Sequence, residues 1–388
     1  TIGLLLCNGG DKVVAQYALS GYDQPIGVSD YQLSKAIPYN LKSALPTVEE
    51  VEEELSKIVD KNIYTTFDDE PVSNKQAKLL ELHPQWFNND KGGGVFRGNS
   101  YPFILTNPIN NLFEGFRDDA PRYVKKNNIK WHTQWGNMKS SQVACFNHLF
   151  GIRNCQKLIL EMLNTAQNLT TFQRVLPIPY EADETYIAFE VVSKGDWLGE
   201  GIPTRGSNCT SIDAFILAED FEAKRWLIPI EWKYTEAYAC EDKSIEGKGQ
   251  ERFEGSYKGK TRLNRYSHLI EQSKFLHSVQ EYEGSIYYQE PFYQLMRQTL
   301  WAEQIMNKSI CEEELSAQRM MHIHIVPEEN IFLILPSEYR KESISAHWQK
   351  QLKHPELYIC ISPKRFMYSI LSKLNGNLGE YLQCRYWD

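Results

Sequence analysis

The chain alternates between segments with the hydrophobic pattern of strands and segments with the pattern of helices. Apolar runs and apolar–polar alternation predict strands at residues 186–192, 210–217, 229–235, 321–327 and 331–336. Apolar residues three and four positions apart predict helices at residues 73–83, 139–166 and 291–306. Glycine and polar residues predict loops at residues 88–100 and 241–266. This mixture of elements predicts an α/β fold.

The beginning of the chain has a strand-rich pattern of its own. Strands are predicted at residues 1–7, 12–19 and within 25–38. A helix is predicted to follow, because Thr47 and Glu50 have the spacing of a capping box. Residues 57–72 are polar and predict a linker to a second domain, residues 73–388. Since the chain opens within an apolar strand, we expect the domain of residues 1–56 to be partial, as in a fragment or a fusion.

The composition limits the classes of protein to consider. A hydrophobic share of 42% and an aromatic share of 12% argue against disorder. A net charge of −8 argues against a surface that is basic throughout, but it is compatible with a local basic groove. The eight cysteines form no C-x-x-C pair, and no apolar stretch reaches about 20 residues. The opening residues lack the pattern of a secretory leader, so we expect none. We therefore expect a cytoplasmic protein with reduced thiols and no membrane partner.

Three charged residues interrupt two of the most apolar predicted strands. Side chains alternate across a strand, so Glu231 and Lys233 share one face and Trp232 lies on the other. Asp213 precedes Glu231 by 18 positions, which is enough for two short strands and a loop. Antiparallel pairing would then bring the two carboxylates together. One interpretation is an exposed Glu–Lys pair on a surface hairpin, which stabilises a protein by only tenths of a kcal/mol.

The other interpretation is a metal site for phosphodiester hydrolysis. Two facing carboxylates repel each other unless a cation such as Mg²⁺ lies between them. The ion polarises a phosphoryl oxygen and lowers the pKa of a bound water. Lys233 would hold that water or neutralise charge that develops on the phosphate. Burial beside a cation would lower the pKa of this lysine.

The order of these residues, an aspartate followed on the next strand by E-x-K, resembles the active site of the PD-(D/E)XK nuclease superfamily. The resemblance implies that Asp213, Glu231 and the carbonyl of Trp232 bind Mg²⁺, for which Mn²⁺ can substitute. It also implies that Lys233 assists the attacking water. Ile212 stands where many members have a proline, a position that varies widely in the superfamily.

The wider segment, from about residue 73 to residue 388, resembles restriction endonucleases of this superfamily. The resemblance is carried by NNIKWHTQWGNMKSSQVACFNHLF, TSIDAFI, PIEWKYTE and PFYQLMRQ. It implies a restriction-endonuclease-like core, with a central mixed β-sheet flanked by helices. Residues 1 to about 55 resemble the C-terminal end of the YhcG-type nuclease domain. The catalytic residues of that domain lie upstream of this end, so none is assigned here.

Several polar residues are candidates for supporting roles. Glu190 is either a third metal carboxylate or an exposed residue at a strand end. Gln142 either belongs only to a capped helix start or faces the metal or a phosphate. Glu236 either caps the next segment or joins the outer shell of the site. Phosphate contact or the ordering of Lys233 is the candidate role of Gln294, Arg297 and Gln298 on the predicted helix. His148 is expected to be an ordinary core histidine rather than a ligand.

A basic segment follows the hairpin. Its cationic residues are Lys243, Lys248, Arg252, Lys258, Lys260, Arg262 and Arg265. Four glycines predict a mobile loop, which we interpret as a clamp on the phosphate backbone that orders on binding. The alternative is an ordinary solvated loop.

Together these features favour a Mg²⁺-dependent endonuclease that hydrolyses DNA. The resemblance implies a bacterial setting such as restriction, phage defence or DNA repair. The alternatives are a catalytically silent DNA-binding module on the same fold, an RNase with the same chemistry, and a scaffold or partner protein. The partial first domain also predicts a homodimer or a partner that supplies its missing part.

Overall fold

The computed structural model describes residues 70–206, 209–238, 241–249, 256–307, 312–334 and 342–387. The predictions for residues 1–56 and for most of the linker lie outside these residues, so the proposed division of the chain stays a prediction. Within the described part of the chain, none of the helices has the length and apolar character needed to cross a membrane.

The described strands form a small hairpin and a mixed sheet of seven strands. The hairpin consists of β1 (Gly94–Phe96) and β2 (Asn99–Tyr101). The sheet consists of β3 (Phe172–Leu176), β4 (Ala188–Val191), β5 (Ile212–Asp220), β6 (Arg225–Trp232), β7 (Arg319–Met320), β8 (His322–Ile325) and β9 (Tyr358–Ile361). Its main order is β3-β5-β6-β8-β9, with β4 beside β5 and β7 beside β6. Strands β3 to β6 pair antiparallel, whereas β6, β8 and β9 are parallel.

Helices pack on both faces of the sheet, which confirms the predicted α/β class. The described α-helices are α1 (Glu70–Leu82), α2 (Asp119–Lys126), α3 (Ser141–Leu149), α4 (Gln156–Ala166), α5 (Lys258–Gln272), α6 (Phe292–Asn307), α7 (Ile331–Ile334), α8 (Ile344–Gln349), α9 (Pro363–Met367) and α10 (Leu378–Leu382). Ile216 and Ile230 belong to the core that includes α3 and α4. Phe215 and Leu227 belong to the core that includes α5 and α6. Alternation therefore directs the odd-numbered residues at the ends of β5 and β6 toward α6.

The β5–β6 hairpin owes its register to a tight turn after Asp220. One oxygen of this carboxylate accepts from the backbone N–H groups of Glu222 and Lys224, at 2.9 and 3.0 Å. The other oxygen accepts from Trp226 Nε1 at 2.8 Å. Because a saturated carboxylate closes the turn, the pairing is fixed from Glu219–Arg225 to Ala214–Ile230.

Several predicted elements were wrong in type or length. The predicted helix over residues 139–166 is divided into α3 and α4 by a 3₁₀ turn at Phe150–Ile152, where Gly151 lets Phe116 pack closely. The predicted strand over residues 331–336 begins instead as the helical turn α7, since Asn330 Oδ1 accepts from Leu333 N at 3.2 Å. A short apolar run does not distinguish a strand from a buried helical turn.

Other elements were not predicted. The loop predicted over residues 241–266 is helical from Lys258, where α5 begins. The loop predicted over residues 88–100 contains β1 and part of β2. Strands β3 and β9 had no counterpart among the predicted elements, because each is short and includes polar or exposed positions.

Candidate active site

Asp213 and Glu231 face each other at the ends of β5 and β6, one step beyond the Ala214–Ile230 pair. The backbone N–H of Trp232 donates to Asp213 Oδ2 at 2.7 Å, so a carboxylate rather than a carbonyl ends this ladder. Because the N–H and C=O of a strand residue point to the same side, the Trp232 carbonyl also faces β5. The structure thus brings the carboxylates of Asp213 and Glu231 together beside the backbone of Trp232.

Lys233 completes this group by pairing with Glu231. Lys233 Nζ lies 2.5 Å from Glu231 Oε1 and donates to Gln294 Oε1 at 2.6 Å. Glu231 is only 2% exposed and Lys233 only 5%. The pair is therefore not the exposed ladder pair of a surface hairpin. Charges removed from water in this way are costly and persist where partners compensate them.

The electrostatic environment changes the proton affinity of two of these groups. Burial raises the pKa of the Asp213 carboxyl well above its usual value, and the nearby carboxylates of Glu231 and Glu190 raise it further. Burial alone lowers the pKa of Lys233, but the charge of Glu231 and other neighbours raises it well above its usual value. The surrounding carboxylates thus outweigh desolvation, and the lowering expected for this lysine beside a bound cation stays a prediction.

Two glutamines one turn apart on α6 hold the buried pair. Gln294 accepts from Lys233 and also donates to Glu290 Oε2 at 3.1 Å. Gln298 Nε2 donates to Glu231 Oε2, and its Oε1 lies 2.8 Å from His322 Nε2. Gln294 and Gln298 lie four residues apart on the helix, so their amides can contact Lys233 and Glu231, which lie two residues apart along the strand. This arrangement agrees with the predicted ordering of Lys233 by Gln294.

Glu190 is a buried member of the same cluster, not an exposed strand end. It lies in β4 between residues that pair with β5 in unbroken register, and its φ of +51° is unusual for a residue with a side chain. Its carboxylate accepts from Gln142 Nε2 at 2.7 Å and from Ser211 Oγ at 2.8 Å. Strained residues held in place by several contacts are enriched at functional sites.

Arg205 contacts the backbone of this strained residue. Its Nε donates to the carbonyl of Glu190 at 3.2 Å, and another guanidinium nitrogen donates to the carbonyl of Phe189. Glu181 pairs with the same guanidinium at 2.7 Å. The strained backbone is therefore fixed by a buried ion pair.

Gln142 has more than a capping role. Ser140 provides the cap of α3 by accepting from Val143 N at 3.3 Å. The Gln142 side chain binds Glu190 and accepts from the backbone N–H of His132 at 2.9 Å. The amide thus ties the segment before α3 to the carboxylates.

Glu236 lies in the chain that leaves the site. Its Oε2 accepts from Tyr234 N at 2.6 Å, so it closes a local turn beyond β6. Its charge also acts on Lys233. Asn330 Nδ2 donates to the carbonyls of Tyr234 and Glu236, both at 3.0 Å. Glu236 therefore combines the two alternatives, a local cap and an outer position around the lysine.

Arg297 lies beside this cluster without joining it. Its Nη1 is 3.7 Å from Glu200 Oε1, and its guanidinium carbon is 4.7 Å from the ring centre of Tyr293. Gln294, not Arg297, contacts Lys233. Of the two candidate roles for this arginine, phosphate contact is the one left open.

The predicted mobile basic loop is largely wrong for the described residues. Lys258, Lys260, Arg262 and Arg265 lie on α5. Lys243 pairs with Glu241, Lys248 pairs with Glu283, and Glu246 pairs with both Lys258 and Arg262. Lys260 is exposed, Arg265 is half-buried over the ring of Tyr266, and Arg252 lies outside the described residues. Neighbouring glutamates thus offset much of the positive charge that the sequence assigned to nucleic acid.

His148 is a core residue, as expected. Its Nδ1 lies 2.7 Å from the carbonyl of Ala144, and its Nε2 accepts from Trp387 Nε1 at 3.1 Å. Burial lowers its pKa to about 3, so the imidazole is neutral.

Sequence reasoning missed four residues that support the site: Arg205, Ser211, His322 and Asn330. Most of them reach the carboxylates through an intermediate side chain or backbone group, so spacing along the chain carries no signal for them. Ser211 is the exception, since it lies two residues before Asp213 and thus on the same face of an extended chain.

The described ranges hold no cluster of three or more His, Cys, Asp or Glu side chains arranged to hold a metal ion. The oxygen donors available to one ion are the carboxylates of Asp213 and Glu231 and the Trp232 carbonyl. Mg²⁺ commonly takes one or two protein carboxylates and completes its shell with water or phosphate. Within the described residues no donor reaches Asp213 Oδ1, which leaves that oxygen open. The donor set therefore fits Mg²⁺.

Comparison with known proteins identifies a family for this chain. The sequence matches the model of a family described as Restriction Endonuclease associating with ARP over residues 77–387, most of the chain. No curated protein and no solved structure matches it. The matched region includes the buried carboxylates of Asp213, Glu231 and Glu190 and the ammonium of Lys233. The chain belongs to the family of restriction endonucleases associating with ARP.

Proposed function

We propose that the protein is a metal-dependent endonuclease that hydrolyses phosphodiester bonds of DNA. The observation that carries the proposal is the convergence of Asp213, Glu231 and Lys233 where β5 and β6 end. Family membership supports a nuclease role, and the E-x-K alternation supports the hydrolytic chemistry. Restriction or phage defence is the biological setting we propose.

The chain's own residues divide the work. Asp213, Glu231 and the Trp232 carbonyl would hold Mg²⁺ or Mn²⁺, and Glu190 would add negative charge beside them. When bound, the ion supplies Lewis-acid activation of a phosphoryl oxygen and of water. Lys233 orients the attacking water and neutralises charge that develops on the phosphate.

The supporting residues hold these groups in place. Gln294 fixes the Lys233 ammonium, and Gln298 orients the Glu231 carboxylate. Gln142 and Ser211 orient Glu190. Such preorganised contacts spare the reaction the cost of reordering polar groups.

We also propose two kinds of partner. Exposed basic residues such as Lys260 would contact the DNA backbone. The description of the family names association with ARP, and we propose that this chain associates with an ARP as well. Size-exclusion chromatography of the two proteins mixed and apart tests the association, and it also reports the predicted homodimer.

Cleavage assays test the proposed function. The purified protein should nick or cut plasmid DNA with Mg²⁺ or Mn²⁺ and should stop when EDTA is added. Labelled RNA of matched length is the parallel substrate. Cleavage of RNA alone would establish the RNase alternative. Retained DNA binding without cleavage, with either metal and with the ARP present, would establish the silent DNA-binding module.

Replacing Gln298 with alanine is expected to weaken Mn²⁺ binding by about tenfold. Glu231 Oε2 would lose its amide donor, and outer contacts of this kind typically change metal affinity 10- to 100-fold. Isothermal titration calorimetry measures the affinity without DNA. Gln304→Ala on the same helix is the matched control. Equal affinities for the two variants would contradict the assigned role of Gln298.

A further inference from the structure

Arg297 has an unused hydrogen-bonding capacity that no other arginine of the described residues shares. Its Nε is buried without a partner, and no other arginine of the described ranges has such an atom. None of its N–H groups makes a hydrogen bond to a described residue, and the nearest carboxylate oxygen, Glu200 Oε1, is 3.7 Å away. Buried polar groups are nearly always hydrogen-bonded, so the exception requires an explanation.

Glu200 does not provide that explanation. Its carboxylate already accepts from Thr210 N and Thr210 Oγ1, both at 2.7 Å, and from Tyr266 OH at 2.6 Å. These bonds fix the loop before β5 and leave Arg297 at a distance too long for a hydrogen bond. The ion pair lowers the cost of burying the arginine but leaves its donors free.

The guanidinium is nevertheless held in one place. It packs over the ring of Tyr293, and its side chain is 23% exposed, which leaves an opening to solvent. A planar fork held by an aromatic ring loses less conformational freedom when it binds a ligand. The donors are therefore both unoccupied and preorganised.

The neighbouring Arg262 differs from Arg297 because it donates hydrogen bonds to protein groups. It lies near the same Tyr293 ring, at 5.7 Å, but its Nη1 donates to Glu246 Oε2 at 2.6 Å and to the carbonyl of Lys243 at 3.1 Å. Arg262 donates two hydrogen bonds to protein groups, whereas Arg297 donates none to a described residue. Arg297 lies on α6, three residues after Gln294 and directly before Gln298.

We propose that Arg297 binds a backbone phosphate of the nucleic acid that adjoins the scissile phosphate. The inference rests on the proposed function. The planar fork of arginine matches a phosphate with two parallel hydrogen bonds. Arg297 lies on α6 between the two glutamines that contact Lys233 and Glu231. A phosphate beside the scissile one is therefore the ligand that we assign to its free donors.

Binding measured without cleavage tests the arginine itself. In EDTA, Arg297→Ala and Arg297→Gln should bind a labelled duplex about tenfold more weakly than wild type. The slope of log affinity against log salt should also fall by about 0.9, the value for one phosphate contact. Arg122→Ala makes the same charge change at an exposed pair with Asp119 and should leave the slope unchanged. A slope for Arg297→Ala and Arg297→Gln equal to that of wild type would overturn the proposal.

Replacing single phosphates of the duplex with uncharged groups shows which phosphate the wild-type protein contacts. Duplexes with one methylphosphonate at each position around the cleavage site should lose about tenfold in affinity at one adjoining position. Arg297→Gln should be insensitive to the substitution at that position only. If no adjoining position matters to wild type, the proposal fails, whether or not the variants fold.

Two outcomes separate this inference from the proposed function. If the salt slope and the methylphosphonate effect both follow the predictions but no DNA is cleaved under any condition, the nuclease proposal is overturned and the phosphate contact is supported. Normal cleavage with no effect of Arg297 on the salt slope would overturn only the contact. Duplexes with and without a 5′-terminal phosphate complete the test, because dependence on the terminal group alone would contradict an internal phosphate.

Discussion

Replacing Lys233 with methionine is expected to slow DNA cleavage by about a thousandfold or more. Methionine retains an unbranched apolar stem but removes the ammonium that contacts Glu231 and Gln294. Loss of one preorganised donor in a desolvated site costs roughly 10²–10³ in rate, and loss of a proton-transferring group costs about 10²–10⁴. Single-turnover cleavage of a labelled duplex measures the loss.

Two comparisons show whether this loss is chemical. Asp213→Asn should lose activity to a similar extent, although its amide oxygen still accepts from Trp232 N. Lys157→Met changes an exposed lysine on α4 and should remain fully active. Thermal unfolding of each variant is needed as well, because Glu231 loses its buried partner. Cleavage by Lys233→Met within tenfold of wild type would exclude the lysine from the chemistry.

Acid is expected to destabilise the fold at pH values where most carboxylates are still ionised. Burial lowers the pKa of His148 to about 3 and that of His322 to about 4, and it lowers that of His324 well below its usual value. The unfolded chain binds protons at these histidines near pH 6.5, whereas the folded protein does not. Stability is therefore fully present above about pH 6.5 and is lost as the pH falls toward 4.

The size of this effect follows from counting protons. Each such histidine lowers the free energy of unfolding by about 1.4 kcal/mol per pH unit. Asp213 acts in the opposite direction, since its raised pKa lets the folded protein hold a proton that the unfolded chain releases. The three histidine contributions add to about 4 kcal/mol per pH unit between roughly pH 6 and pH 4, and the Asp213 carboxyl reduces this sum.

Urea unfolding at a series of pH values measures this slope. His148→Gln should reduce the slope by about 1.4 kcal/mol per pH unit, because one proton no longer distinguishes the two states. His268→Gln, which replaces an exposed histidine on α5, is the matched control. A free energy of unfolding that does not change between pH 6.5 and 5 would contradict the burial of neutral imidazoles.

The centre of the site could be predicted because two simple periodicities determine it. Alternation along β6 puts Glu231 and Lys233 on one face, and the length of the hairpin brings Asp213 opposite Glu231. Helical spacing then aligns Gln294 and Gln298 with the two charged groups. Each of these relationships lies within one or two adjoining elements, so the sequence alone carries it.

The surroundings of the site depend on tertiary contacts that leave no local signal. Nothing near Glu190 in the sequence predicts its positive φ or its contact with Arg205, which belongs to another segment. The basic residues after β6 suggested a free cationic loop, but Glu246 pairs with two of them, and Lys260 and Arg265 lie on α5. Charge counted along a sequence does not reveal which charges will neutralise one another in the fold.

The hydrogen bond from the Trp232 N–H to the Asp213 carboxylate links ligand binding to the end of the hairpin. A ligand that binds this carboxylate competes with the last hydrogen bond between β5 and β6. Occupancy of the site and fraying of the strand ends are therefore linked. Exchange of the Trp232 amide hydrogen with solvent should change when a cation binds, so one backbone proton can follow the state of the site without any substrate.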